Sequence, residues 1–222
     1  MRLLILNKRM KAVKRKKQNL VTHSNPESII SDQFRTIRAN IKFTTGESDN
    51  LILLFTSPGK NEGKSTAITN LAVSLSQQKE KVLLIDANLR KPAIHHIFKK
   101  SESPGLTDIL KGDKKFSEAV CSSGVGQLDI LTSGSITTNP AEVLGNGLMT
   151  ALLDKAGKVY DKVLIDSPPI LHSTETRVLA NQCSGVVLVL RRGKTQIEQA
   201  ADARRVLELS QADLTGIIMN EK

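Results

Sequence analysis

The sequence predicts an α/β protein built on a mostly parallel sheet with helices on both faces, and three observations predict it. Short aliphatic and β-branched runs alternate along the chain with stretches whose apolar residues recur at helical spacing. Those β runs are apolar on both faces, the pattern of strands covered above and below. At 222 residues the chain is long enough for one well-buried domain and too short for two comfortable ones. Hydrophobic residues at 39% and charged residues at 24% are ordinary for a globular chain and exclude disorder throughout. Aromatics are only 3%, so the core must be aliphatic, and a nucleic-acid module that stacks bases on aromatic platforms is disfavoured.

Residues 1–25 read as a basic flexible arm and linker. Eight of the first 20 side chains are basic (Arg2, Lys8, Arg9, Lys11, Lys14, Arg15, Lys16, Lys17) and none is acidic. The whole chain carries +10, and the remaining 24 basic and 22 acidic residues leave the body near neutrality, so the basicity belongs to the arm. A cationic arm beside the short apolar block Leu3–Leu6 suits an anionic membrane surface, at about 1 kcal/mol per basic residue close to it. The same run also fits nucleic acid or plain solubility, and charge alone does not choose among them.

From 26 onward the chain reads as one domain, 26–222. Ile30, Phe34, Ile37 and Ile41 line one side of a helix over 28–43, within an amino-terminal segment 26–45. Strands follow at 51–56, 82–86, 128–132, 162–166, 186–190 and 216–220. Between the first two, Ile68, Leu71, Ala72 and Leu75 mark a helix over 65–77; further helices are expected at 148–156, 175–181 and 196–209. The longest uncharged apolar runs are strand-sized, far short of the roughly 20 residues that span a bilayer, and the apolar block at 3–6 is too short for a secretory signal. Cys121 and Cys183 are too far apart in sequence for a paired metal-ligand motif and too few for a disulfide framework, so reduced, buried thiols in a cytoplasmic protein are expected.

In open α/β sheets ligands bind at the carboxyl ends of strands, and three strands here end in residues that carry chemistry. The first runs through Thr56-Ser-Pro-Gly-Lys-Asn-Glu-Gly-Lys-Ser-Thr66 into a helix. Small residues in such a loop let backbone N–H groups turn around phosphates at a helix N-terminus; Lys64 would reach the β- and γ-phosphates and the Ser65 hydroxyl a Mg²⁺ ion. The loop departs from the usual spacing, because Pro58 stands where the first glycine is expected. The second strand ends Leu-Leu-Ile-Asp86-Ala-Asn-Leu-Arg-Lys-Pro92, and a third ends Val-Leu-Ile-Asp166-Ser-Pro-Pro169. Asp86 reads either as a magnesium ligand or proton acceptor or as a loop cap, while Asp166 has the form of a metal-holding strand-end carboxylate. A phosphate cradle, a metal site and a carboxylate for an incoming nucleophile are together what phosphoryl transfer needs.

These three segments resemble the Walker A, Walker A′ and Walker B motifs of the bacterial tyrosine kinases of capsule and exopolysaccharide synthesis, P-loop relatives of the MinD/ParA ATPases. The resemblance runs from about Ser31 to Asn220 and includes LLTSGSITTNPAEVLG before the third strand. It implies a three-layer α/β/α P-loop NTPase fold. Ser57 fills the family's small-residue position six before the last glycine of the loop. The resemblance further implies ATP on Ser57, Gly59, Lys60, Asn61, Glu62, Gly63, Lys64, Ser65 and Thr66, Mg²⁺ among Ser65, Asp86 and Asp166, and Asp86 as base for a tyrosine hydroxyl. Lys64, Asp86 and Asp166 are then the catalytic set, and Asn220 matches a position that reads the adenine edge in related ATPases. Where the family carries a second acid in Walker A′, this chain has Asn88, which can ligate through its carbonyl but brings no charge.

Asp32, Arg35 and Arg38 resemble the family's Glu-x-x-Arg-x-x-Arg oligomerisation motif with Asp for Glu. The resemblance implies a ring-shaped homo-oligomer in which both arginines meet a neighbour's acids. It also implies protein tyrosines as substrates and the cytosolic tail of a separate transmembrane adaptor as activator, with the chain at the inner face of the membrane. The family's carboxyl-terminal tyrosine cluster has no counterpart here. The one tyrosine, Tyr160, reads as a packing residue before the third strand, so the usual autophosphorylation is not expected. The alternative is a MinD/ParA-like regulatory ATPase. Its signature lysine, five residues before the P-loop lysine, is replaced here by Gly59, with Lys60 one residue out of register; a nucleic-acid function of the arm is the remaining rival.

Overall fold

The computed structural model describes residues 3–6, 20–46 and 50–221; of 3–6 only the backbone is described. In chain order the elements are β1 (Leu3–Leu6), α1 (Val21–Ser24), α2 (Ile29–Thr45), β2 (Leu51–Thr56), α3 (Lys64–Ser76), β3 (Val82–Asp86), α4 (Ile94–Phe98), α5 (Leu106–Leu110), α6 (Phe116–Ala119), β4 (Val120–Ser122), β5 (Leu128–Leu131), α7 (Pro140–Gly145), α8 (Gly147–Gly157), β6 (Lys162–Asp166), α9 (Thr174–Asn181), β7 (Gly185–Arg191), α10 (Ile197–Leu209) and β8 (Leu214–Asn220). The strands form one sheet in the order β1-β8-β7-β2-β6-β3-β5-β4, and every neighbouring pair is parallel except β4 with β5.

Strand alternation explains why the runs looked apolar on both faces. Leu54, Leu83, Ile85, Val163, Ile165, Val186 and Leu188 point into one core, under α7 to α10. Their neighbours Leu53, Phe55, Val82, Leu84, Leu164, Val187 and Val189 point into the other, under α2 and α3. Each inner strand must therefore be hydrophobic on both faces through its middle, and helices must cover both sides. Helix α2 begins where Ser28 accepts the N–H of Ser31 at 3.2 Å, a side-chain N-cap. It buries Phe34, Ile37 and Ile41, the stripe its sequence foretold.

The reading of 1–25 as a flexible arm needs revision at both ends. Leu3–Leu6 lie in parallel register with Ile217–Asn220 and supply the edge strand next to β8, because a bare strand edge offers unpaired N–H and C=O groups that four extended residues can satisfy. At the other end, Thr22 is buried against α3, its hydroxyl donating to the Asn70 carbonyl at 3.1 Å and its N–H to Asn70 Oδ1 at 3.1 Å. Residues 7–19, which hold most of the basic run, lie outside the described residues.

Both cysteines are free and half-buried rather than fully buried. Tyr160 is 7% exposed, and its hydroxyl donates to Asp129 Oδ2 at 2.8 Å, so it packs as expected. Among the described residues no helix is long and apolar enough to cross a membrane.

Candidate active site

Three adjacent strands, β2, β6 and β3, deliver the site. Their carboxyl ends carry the loop 57–63, Asp166 and Asp86, and because all three are parallel these ends lie on one edge of the sheet. Asp86 and Asp166 are register partners on β3 and β6. Neighbouring strands are about 4.8 Å apart and partners in register share a face, so the two carboxyls stand side by side. Both are wholly buried. Burial, and then the charge of Asp166, push the Asp86 carboxyl above the ordinary carboxylate range, against three opposing backbone hydrogen bonds. Burial likewise raises Asp166, against the charge of Lys64 and the hydrogen bond from Ser65.

The loop after β2 is tied down at both ends. Ser57 is buried and donates to the Gly59 carbonyl at 2.7 Å, and its own carbonyl accepts the N–H of Ile170 at 2.9 Å. Thr56 donates to the Pro168 carbonyl at 2.8 Å, joining the start of the loop to the segment after β6. Gly63 has φ +94°, a left-handed conformation that side chains resist, and a Cβ there would lie 2.2 Å from Asn220 Nδ2. Lys64 opens α3 with its side chain largely buried, and Ser65 donates to Asp166 Oδ2 at 2.5 Å. On its outer side the loop borders an open depression of about 510 Å³ whose lining includes Lys60, His172, Lys194 and Gln196.

Asp86 also caps the loop behind it. Its Oδ2 accepts the N–H groups of Ala93 and Ile94 at 2.9 and 3.0 Å, and its Oδ1 accepts that of Asn88 at 3.2 Å. The loop-cap reading and the metal or base reading are thus compatible, since each carboxylate oxygen offers two acceptor directions and Oδ1 uses one within the chain. Arg90, from the same loop, donates to Glu175 Oε1 at 2.6 Å and links the Walker A′ segment to α9. Glu175 is only 1% exposed and sits in the first turn of α9, where a negative charge suits the helix dipole.

A divalent cation fits this donor set. Two buried, adjacent carboxylates repel unless a proton or a cation lies between them, and Asp166 Oδ1 is buried with no hydrogen-bond partner. Two carboxylates and a hydroxyl are the hard oxygen donors that Mg²⁺ takes alongside water and phosphate.

The sequence-predicted residues therefore fall into three groups. Ser57, the loop 59–66, Asp86 and Asp166 converge on one edge of the sheet. Asn220 reaches the same loop from β8, but its amide donates to the Glu62 carbonyl at 3.0 Å, which places it against the loop backbone. Asp32, Arg35 and Arg38 lie on α2, away from this set. Arg35 pairs with Asp32 and donates to the Pro26 carbonyl at 2.8 Å, while Arg38 donates to the Ser74 carbonyl at 2.5 Å on its own chain. Arg35 and Arg38 stand three positions apart on one side of α2, and each makes these bonds within its own chain. Thr195, Arg191 and Glu175 escaped sequence reasoning, because their partners lie more than 80 residues away and no local pattern marks them.

Comparison with known proteins decides the family. The family described as AAA domain matches residues 59–198, more than half of the chain. Tyrosine-protein kinase YwqD of Bacillus subtilis is 43% identical over 208 residues, covering 94% of this chain and 88% of that protein. The chain belongs to the bacterial tyrosine-protein kinases. Putative tyrosine-protein kinase CapB of Staphylococcus aureus is 32% identical, with 91% and 89% of the two chains covered. Putative tyrosine-protein kinase EpsB of Ralstonia nicotianae is also 32% identical, but this chain spans only 27% of its length. Among solved structures, the kinase domain of the Escherichia coli tyrosine kinase ETK superposes with a TM-score of 0.88 at 29% identity, over 96% of this kinase chain and 84% of that one. The chimerical protein CapA2B2 gives a TM-score of 0.87 at 32% identity, over 91% and 89%. The cell division ATPase MinD of Pyrococcus furiosus, at 20% identity and a TM-score of 0.65 over 77% and 71%, shares the fold alone. The P-loop NTPase architecture expected from the sequence is the one this tyrosine-kinase family has.

Proposed function

We propose that the chain is a Mg²⁺- and ATP-dependent protein-tyrosine kinase that regulates capsular or exopolysaccharide synthesis. The observation that carries the reading is the meeting of the 57–66 loop with Asp86 and Asp166 at the ends of three adjacent strands. Mg²⁺–ATP, when bound, supplies the transferable phosphoryl group and the charge that offsets its development in the transition state. The N–H groups of the loop and the Lys64 ammonium hold the phosphates, and Ser65, Asp86 and Asp166 hold the ion. Asp86, at the strand tip beside the loop, accepts the proton of the acceptor tyrosine hydroxyl. Asn88 contributes a neutral carbonyl where relatives by resemblance carry an acid, which lowers the charge around the ion.

The partners follow from the same reading. Protein tyrosines are the acceptors, the cytosolic tail of a transmembrane adaptor is the activator, and the chain works in the cytoplasm at the inner face of the membrane. Basic residues of 1–20 contact anionic lipid there, and a ring-shaped homo-oligomer forms through Asp32, Arg35 and Arg38 of α2.

The test is incubation with labelled ATP, Mg²⁺, an adaptor tail and a tyrosine-containing protein, read by phosphotyrosine detection. Labelled phosphotyrosine that disappears in Lys64→Ala is the expected result. ATP hydrolysis without phosphotyrosine would replace the kinase reading with a MinD/ParA-like regulatory ATPase.

A further inference from the structure

A glutamate in a phosphate-binding loop is unexpected, because a carboxylate beside a polyphosphate is repelled by it. Glu62 is nevertheless only 1% exposed. Its carboxylate is held by Gly59 and Thr195: Oε2 accepts the N–H of Gly59 at 3.2 Å, and Oε1 accepts the Thr195 hydroxyl at 2.7 Å. A hydroxyl has one proton, and Thr195 Oγ1 also accepts the N–H of Arg191 at 2.8 Å, so the Thr195 proton is committed to Glu62.

Residues 191–195 between β7 and α10 hold the loop in further places. The Arg191 guanidinium donates to the Asn61 carbonyl at 3.1 Å, and the Lys194 ammonium donates to the Lys60 carbonyl. The Asn220 amide takes the Glu62 carbonyl. Three consecutive carbonyls, of residues 60, 61 and 62, are thereby turned toward donors outside the loop. In a trans peptide the N–H of the next residue points opposite to the carbonyl. The N–H groups of Asn61, Glu62 and Gly63 are therefore turned the other way, into the loop, as a concave set of donors suited to phosphate oxygens.

We propose that Glu62 and Thr195 are positioning residues: by locking the loop to the β7–α10 connection, they fix the inward orientation of the phosphate-binding amides before nucleotide arrives. The inference rests on the nucleotide reading of the loop given above. It makes affinity for phosphate depend on a side chain more than 130 positions away in sequence. It also assigns Arg191 and Lys194 to shaping the cradle through its carbonyls.

The test measures the dissociation constant of fluorescent Mg²⁺–ADP, alongside the melting temperature without nucleotide, for wild type, Thr195→Val, Thr195→Ser, Glu62→Ala, the Glu62→Ala/Thr195→Val pair and Lys64→Ala. Loss of a hydrogen bond to a charged group predicts about tenfold weaker binding in Thr195→Val. Thr195→Ser should return to within about twofold of wild type, because it restores the hydroxyl. In the Glu62→Ala background Thr195→Val should add less than about twofold, since the shared bond is already gone. Wild-type affinity in Thr195→Val, with or without a lower melting temperature, overturns the proposal so long as Lys64→Ala fails to bind. Binding by Lys64→Ala equal to wild type would instead remove the nucleotide reading beneath it. Should Glu62→Ala not fold, the valine and serine pair at 195 still decides.

Discussion

Replacing Gly63 by alanine tests the loop geometry with a cost that the structure fixes in advance. At φ +94° and ψ 14° a side chain costs about 1–2 kcal/mol relative to glycine. The new methyl would also lie 2.2 Å from Asn220 Nδ2, so that side chain must swing away and give up its bond to the Glu62 carbonyl, worth about 1 kcal/mol. The sum is about 2–3 kcal/mol, or roughly 30- to 150-fold in an equilibrium constant. If the loop keeps its shape the loss appears in unfolding free energy, and if it relaxes it appears in nucleotide affinity. Urea denaturation and calorimetric titration of the same variant should therefore give two losses that together reach this total. Asn220→Ala alone should cost about 1 kcal/mol, yet nothing more on top of Gly63→Ala, because the bond it removes has already been lost and Asn220 Cβ is at an ordinary 3.9 Å. A full additional loss in the double variant would refute the contact between these residues as the source of the strain.

Asp86→Asn should lower turnover by about 100-fold or more while changing nucleotide affinity only several-fold; equal losses in kinetics and titration would leave Asp86 as a ligand and loop cap. Arg38→Ala should destabilise by about 1 kcal/mol through its lost bonds to Ser74. Arg35→Ala should leave stability within about 0.5 kcal/mol and reduce the oligomer mass seen by light scattering, and an unchanged mass would end its role in assembly. Burial raises the Glu175 carboxyl, but hydrogen bonds from Arg90, its own backbone N–H and Ser173, together with the Arg90 charge, outweigh it and hold the group below the usual glutamate range. Its contribution to stability is then complete above about pH 4.3 and is lost as pH falls through the lower folded value. Glu175→Gln should flatten the acid limb of a stability curve below that pH, and an unaltered limb would contradict the pairing.

The inner strands were legible because each is buried on both faces and so shows an unbroken aliphatic run, as in Leu51–Phe55 and Val186–Leu190. The helix over 65–77 appears at Lys64–Ser76, and the one over 28–43 at Ile29–Thr45, because their apolar stripes face a core. What escaped was short or paired at a distance. Strand β4 has three residues and joins β5 as the sheet's antiparallel edge, too few to show a period. Helices α4 to α7 have four to six residues each, below the length at which helical spacing can be told from chance. Leu3–Leu6 read as part of the arm because its strand character comes from β8, more than 200 residues further on. At the site, strand-end acids and a Gly-Lys-Ser tripeptide are visible in sequence because each follows a recognisable strand. Glu62 was visible only as part of a nucleotide loop. Its use as a brace depends on Thr195, and nothing around 195 announces it.

The proposed chemistry requires Lys64, Ser65, Asp86 and Asp166 to grip one nucleotide and its divalent ion. Calorimetric titration of a non-hydrolysable ATP analogue, with and without Mg²⁺, addresses this directly in wild type, Asp166→Asn and Lys64→Ala. The expected results are tight binding in wild type that weakens when Mg²⁺ is withheld, a loss of that Mg²⁺ dependence in Asp166→Asn, and no binding heat in Lys64→Ala. Binding that ignores Mg²⁺ in the wild-type chain, or that survives unchanged without Lys64, would contradict that chemistry.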